Sequence, residues 1–169
     1  MNVRTLQGIG QDIARMVREY HGGPTREMLI DLALYAWLRA GAAGRRVERQ
    51  FYAHLPHQRK PARIDFRVRH PNPVLVEFAV RPPTGGGQLC GSQNQSELRK
   101  LTRFSNHQAK LRALLLIDLA RTPYGRDSLK ATYDEIHAGR GRFERWPVKV
   151  IYAHATEAFA FKWDPYRAS

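Results

Sequence analysis

Two acids sit where acids are unwelcome. In the stretch ARIDFRVRHPNPVLVEFAV, Ala62 to Val80, Asp65 and Glu77 interrupt two apolar, β-prone runs. Burying an unpaired charge is costly, and the chain has only fifteen Asp and Glu to place. Strand side chains alternate between faces. On that pattern Ile64, Phe66 and Val68 share one face of the first run, and Arg63, Asp65 and Arg67 the other. In the second run, Val74, Val76, Phe78 and Val80 oppose Leu75, Glu77 and Ala79. A tight turn at HPNP sets Asp65 nearly opposite Glu77. Like charges so placed repel, and a shared cation resolves the conflict. Mg²⁺ (or Mn²⁺) takes carboxylate oxygens and keeps several waters. Such an ion activates water and stabilises a phosphoryl oxygen. The alternative is that each acid pairs with an arginine, for which Arg63, Arg67, Arg69 and Arg81 are at hand.

The overall charge points to the partner. Twenty-eight Lys and Arg give 169 residues a net charge of +13 and a pI near 10.6. This excess favours polyanions, nucleic acid before an anionic membrane. The basic residues gather in GRRVERQ, HQRKPARIDFRVRH, ELRKLTR and GRGRFERW, around the same strands. A shared basic surface is expected, with Arg63, Arg67, Arg81, Arg99 and Arg103 as phosphate contacts, because arginine forks suit phosphate. No apolar run approaches the roughly 20 residues of a membrane span, and MNVRTLQGIGQDIARMV lacks a signal-peptide core. The single cysteine, Cys90, allows no internal disulfide. A reducing, cytoplasmic setting is expected.

The elements that must position the acids follow from periodicity. Leu6 to Tyr20 has Ile9, Ile13, Met16, Val17 and Tyr20 at helical spacing. Thr25 is placed to cap a second helix over Arg26 to Ala40. The broad apolar set of that helix, including Met28, Leu29, Leu32 and Trp37, predicts burial on most sides. Three strands follow, Val47 to Leu55, Ala62 to Arg69 and Val74 to Val80, with short connections that imply an antiparallel meander. Ser96 to His107 reads as a helix. LRALLLIDLA reads as a strand covered on both faces. A helix over Ser128 to His137, a strand at Val148 to Ala153 and an edge strand at FAFKW complete the order ααβββαβαβ(β). This is an α/β domain, a mixed sheet flanked by helices. A helical part over 1–44 precedes an α/β core over 45–169.

RIDFRV followed by VLVEFAV resembles the core of the PD-(D/E)XK nucleases, the restriction-endonuclease-like superfamily. Asp65 matches the first acid of that pattern and Glu77 the second. Glu48 in RRVERQFY is similar to the family's earlier Glu, and SQNQSELRKL to the following helix. The resemblance spans about Val47 to Asp118. It implies a restriction-endonuclease-like core and a Mg²⁺-dependent nuclease, with DNA favoured over RNA and a homodimer allowed. Asp65 and Glu77 would hold the metal, Glu48 would assist, and Gln95 would orient water. The family's lysine falls at Ala79, where the side chain can do no chemistry. Lys100, one helix later, is the expected substitute. If it is no substitute, the fold is a nucleic-acid- or protein-binding module whose chemistry is lost.

Other signals are weaker. TGGGQLCGS lacks the ending of a phosphate-binding P-loop. His54 and His57 have no partners to complete a zinc site. Asp118 is expected to cap the turn after its strand.

Overall fold

The computed structural model describes residues 1–20, 27–54, 60–69, 72–85, 89–136 and 146–166. The expected cap Thr25 and His57 lie outside them. A single sheet carries six strands in sequence order. Strands β1 (Val47–Ala53), β2 (Ala62–Val68) and β3 (Val74–Arg81) form the antiparallel meander. Helix α3 (Gln95–Thr102) then carries the chain to β4 (Leu111–Asp118), which runs parallel to β3. Helix α4 (Arg126–Asp134) leads to β5 (Val148–His154), parallel to β4, and β6 (Ala158–Trp163) returns antiparallel at the far edge.

Two helices precede the sheet, α1 (Val3–Tyr20) and α2 (Glu27–Gly41). Asn2 starts the first, its side chain accepting the Thr5 N–H at 3.0 Å. Leu6, Ile9, Ile13 and Val17 recur every three or four residues and bury one stripe of α1. Gly10 lets that stripe lie close on the sheet, since a Cβ there would meet Ala153 Cβ at 2.6 Å. On α2 the expectation of burial on most sides fails. Ile30, Leu34 and Leu38 are buried, and Ala33 and Tyr35 pack partly against the core, while Met28 and Leu32 are 60% and 45% exposed, with Leu29 and Trp37 exposed beside them. One face of a surface helix suffices to cover a sheet, and nothing among the described residues covers the other.

The helices make two layers. With α1 and α2 pack Phe66, Val68, Val74, Val76, Leu115 and Ile151. With α3 and α4 pack Ile64, Leu75, Leu114, Leu116, Val150 and Tyr152. Strand β4 is buried on both faces, as its unbroken apolar run requires. The expected single face for Ile64, Phe66 and Val68 is wrong. Ile64 faces one layer and the other two face the opposite layer, so β2 changes sides at Asp65. Strand β1 does the same at Gln50, with Val47 in the first layer and Phe51 against the second. The pairs Arg49–Phe66 and Phe51–Ile64 bracket Gln50 and Asp65. Gln50 has φ +47°, a left-handed conformation uncommon outside glycine. That twist turns the hairpin over while keeping its register.

The third helix is shorter than its predicted Ser96 to His107. It stops at Thr102, because the next residues are gathered by Arg112. The Arg112 Nη1 donates to the Phe104 and Ala109 carbonyls at 2.9 Å each, and Nη2 to Asn106 Oδ1 at 2.8 Å. Nε reaches the Pro147 carbonyl at 3.3 Å.

Candidate functional site

The crossing at Asp65 builds the site. The β2–β3 ladder pairs Val68 with Val74, Arg67 with Leu75 and Phe66 with Val76. Beyond it the Asp65 carboxylate, in place of a backbone carbonyl, accepts the Phe78 N–H at 3.1 Å. This turns Asp65 toward Glu77, on the α3 face of β3 between Leu75 and Ala79. Asp65 lies close enough to act on the Glu77 carboxyl. Glu77 is 1% exposed. Lys100 enters from α3, whose Leu98 and Leu101 anchor it in the core. Its Nζ comes within 2.7 Å of Glu77 Oε1 and 3.3 Å of the Arg63 carbonyl. The approach to Oε1 is ionic and off the angle of a hydrogen bond, so this buried oxygen has no aligned donor among the described residues.

The electrostatics follow. Burial, then the hydrogen bond and charge of Asp65, push the Glu77 carboxyl up to about 9, against the opposing pull of Lys100. Without a metal ion, burial and Asp65 favour the protonated form of Glu77, and Lys100 opposes them. Such a pair is poised to exchange its proton for a metal ion.

The remaining expected residues divide. Glu48 does not join the pair. Arg67 and Arg69 each reach it at 2.6 Å, and Arg46 at 3.7 Å. Burial pushes the Glu48 carboxyl up, but hydrogen bonds from Arg69 and Arg67 outweigh it and hold the group below the usual carboxylate range. Among the described residues no group of three or more Asp, Glu, His or Cys could hold a metal ion. Gln95 is half-buried at the start of α3. Arg63 is exposed on β2, and Arg99 and Arg103 are half-buried at the end of α3. Arg67 also stacks 3.7 Å over the Phe51 ring. Arg81 points elsewhere, donating twice to Asp118 at 2.7 Å.

Two features were not anticipated. Glu97 lies 3.7 Å from Lys100, so the lysine sits between two carboxylates. The i, i+3 spacing in ELRK carried that signal. Asp118 caps its turn, accepting the Ala120 N–H at 3.0 Å, but also takes the Tyr152 hydroxyl at 2.5 Å and the Arg81 fork. Beside the site, Phe78, Ala79, Val80, Gln93, Asn94 and Glu97 border a cavity of about 420 Å³.

No protein-family profile, curated protein or solved structure matches this chain. Among the described residues no helix is long and apolar enough to cross a membrane.

Proposed function

We propose that the chain is a metal-dependent nuclease that cleaves DNA phosphodiester bonds. One observation carries this reading. A buried glutamate is held against an aspartate, one of its oxygens has no aligned donor, and a lysine from the next helix reaches it. A buried carboxylate left so is unusual in a structural ion pair. Two carboxylates suit Mg²⁺ (or Mn²⁺), which is held by one or two acids with water and phosphate oxygens completing its shell. Asp65 and Glu77 would hold the ion, which would supply activated water and charge stabilisation at the phosphate. The Asp65 carboxylate stays oriented by the Phe78 N–H. Lys100, with 29% of its side chain exposed, offers its ammonium to the scissile phosphate. Gln95 orients water, and Glu48 acts indirectly by placing Arg67. The order of strands and helices around β3 and α3 supports the resemblance to the PD-(D/E)XK nucleases.

Incubating plasmid DNA and RNA with the purified protein in Mg²⁺, Mn²⁺ or EDTA tests this. Nicking of DNA that requires metal and disappears in Asp65→Ala is the expected outcome. The second reading is a binding module, favoured by Ala79 and by the lack, among the described residues, of a group of three metal-binding side chains. Tight nucleic-acid binding with no cleavage of any substrate decides for it.

A further inference from the structure

A second gathering of positive charge lies away from the acid pair, on the outer edge of the sheet. Strand β1 is an edge strand, and between it and the end of α2 runs a groove of about 680 Å³. Tyr35, Arg39, Arg45, Arg46, Arg49 and Gln50 line it. The Tyr35 ring stands between two guanidinium groups, Arg39 at 5.7 Å and Arg49 at 5.5 Å. Cation–π contact of this kind fixes a guanidinium while leaving its N–H groups free to donate.

The acids nearby are already used. Arg49 is paired with Asp31. Glu48 carries Arg46, Arg67 and Arg69. Four arginines, Arg39, Arg45, Arg46 and Arg49, therefore line the groove beside one carboxylate, Glu48, which is itself shared with Arg67 and Arg69. Arg39 and Arg45 meet no carboxylate among the described residues, and Arg46 has only a 3.7 Å contact from a side chain that is 72% exposed. Like charges so gathered repel, and the arrangement is favourable when an anion enters. Gln50, where the hairpin crosses over, also borders the groove. Its φ of +47° is a strained state in mid-strand, and such strain gathers where a chain meets a ligand. Gln50 lies across the hairpin from Asp65, so a chain of phosphates in the groove passes one strand away from the acid pair.

We infer that this groove is a binding site for the phosphodiester backbone of nucleic acid, with Arg39, Arg45 and Arg46 each taking a phosphate. The groove rests on the proposed function only for its class of partner. It anchors the backbone and takes no part in chemistry.

The test is fluorescence anisotropy with a labelled 20-base-pair duplex and its single strand, across salt, in EDTA so that nothing is cut. Neutralising a phosphate contact lowers the slope of log affinity against log salt by about 0.9. The triple variant Arg39→Ala, Arg45→Ala, Arg46→Ala should lower it by about 2.7, and affinity near 0.1 M salt by about 10- to 100-fold. The corresponding triple lysine variant should keep most of the slope, showing that charge at these positions is what matters. A control triple, Arg126→Ala, Lys130→Ala, Lys162→Ala, removes equal charge on α4 and β6, the opposite side of the sheet. It should leave affinity within about threefold. Equal losses in both alanine triples overturn the inference, because diffuse charge then explains binding. Binding to phosphatidylserine vesicles but not to either nucleic acid, lost in the groove triple, overturns it too and gives the groove to a membrane surface. A wild type that binds through the groove yet never cleaves leaves the inference standing and removes the nuclease reading. A wild type that cleaves while the groove triple binds normally does the reverse.

Discussion

Glu77 and Asp118 are both buried acids on adjacent parallel strands, on the same face of the sheet, at 1% and 0% exposure. Their surroundings differ. Asp118 receives two bonds from Arg81, one from Tyr152 and one from the Ala120 N–H. Tyr152 in turn accepts the Tyr124 N–H at 2.9 Å, and Arg81 lies 4.1 Å over the Tyr124 ring. Glu77 has another acid beside it and one lysine at an angle that completes no hydrogen bond. Depth of burial does not separate a structural acid from a functional one. The supply of donors does. A saturated carboxylate ties strand ends together, and an under-supplied one keeps capacity for a ligand.

The largest expected effect breaks the saturated side. Asp118→Ala should lower stability in denaturant unfolding by about 3–5 kcal/mol, because it strands the Arg81 guanidinium in a buried place. A loss below about 1 kcal/mol would show that the network does not hold these strand ends. On the other side, Asp65→Ala and Lys100→Ala should each reduce metal-dependent cleavage by about 10²- to 10³-fold, with Lys100→Ala still folded. Adding Ala79→Lys to Lys100→Ala should recover part of the initial nicking rate, since it returns an ammonium to the same face of β3. Wild-type rates in both single variants would mean that the unsatisfied glutamate has no chemical consequence.

A smaller effect sharpens the contrast. Tyr152→Phe removes one donor from the buried Asp118 carboxyl and should cost about 1–3 kcal/mol in the same unfolding measurement. Glu77→Gln is the mildest near neutral pH, because burial and Asp65 already favour the protonated form of Glu77 there. Its signature is in the pH dependence. A carboxyl raised to about 9 in the fold contributes stability that is complete below the ordinary carboxylate range and lost as pH rises through 9. Wild-type stability should therefore fall between about pH 5 and pH 9, and Glu77→Gln should flatten that fall. Equal slopes in the two proteins would place the perturbed group elsewhere.

The sheet was readable from the chain because short connections, alternation and one unbroken apolar run each have a single good geometric solution. The order of all ten elements follows from them. The face of Asp65 was reached through a regular alternation that the structure breaks. No residue type announces that Gln50 takes a left-handed conformation, so the crossing of the hairpin stayed hidden. The pairing of Arg81 with Asp118 is invisible in the sequence because the two are 37 residues apart, beyond any local spacing rule. On α2 the apolar residues exceeded what one buried face can take, and composition could not tell which would be left outside. The approach of Lys100 to Glu77 was legible because α3 had to lie over β3, and the Glu97 carboxylate one turn before it follows from the same helix.

Arg112 bears on how Lys100 is held in place. Its guanidinium clasps the chain immediately after α3 through two carbonyls and Asn106, and ties it to Pro147 across the sheet. Helix α3 is thus held at its far end by this clasp and along its length by Leu98 and Leu101. The conformational entropy of placing a lysine over Glu77 is lost once, as the domain folds, and not again whenever a ligand arrives. The ammonium waits on a platform whose reorganisation energy is already small.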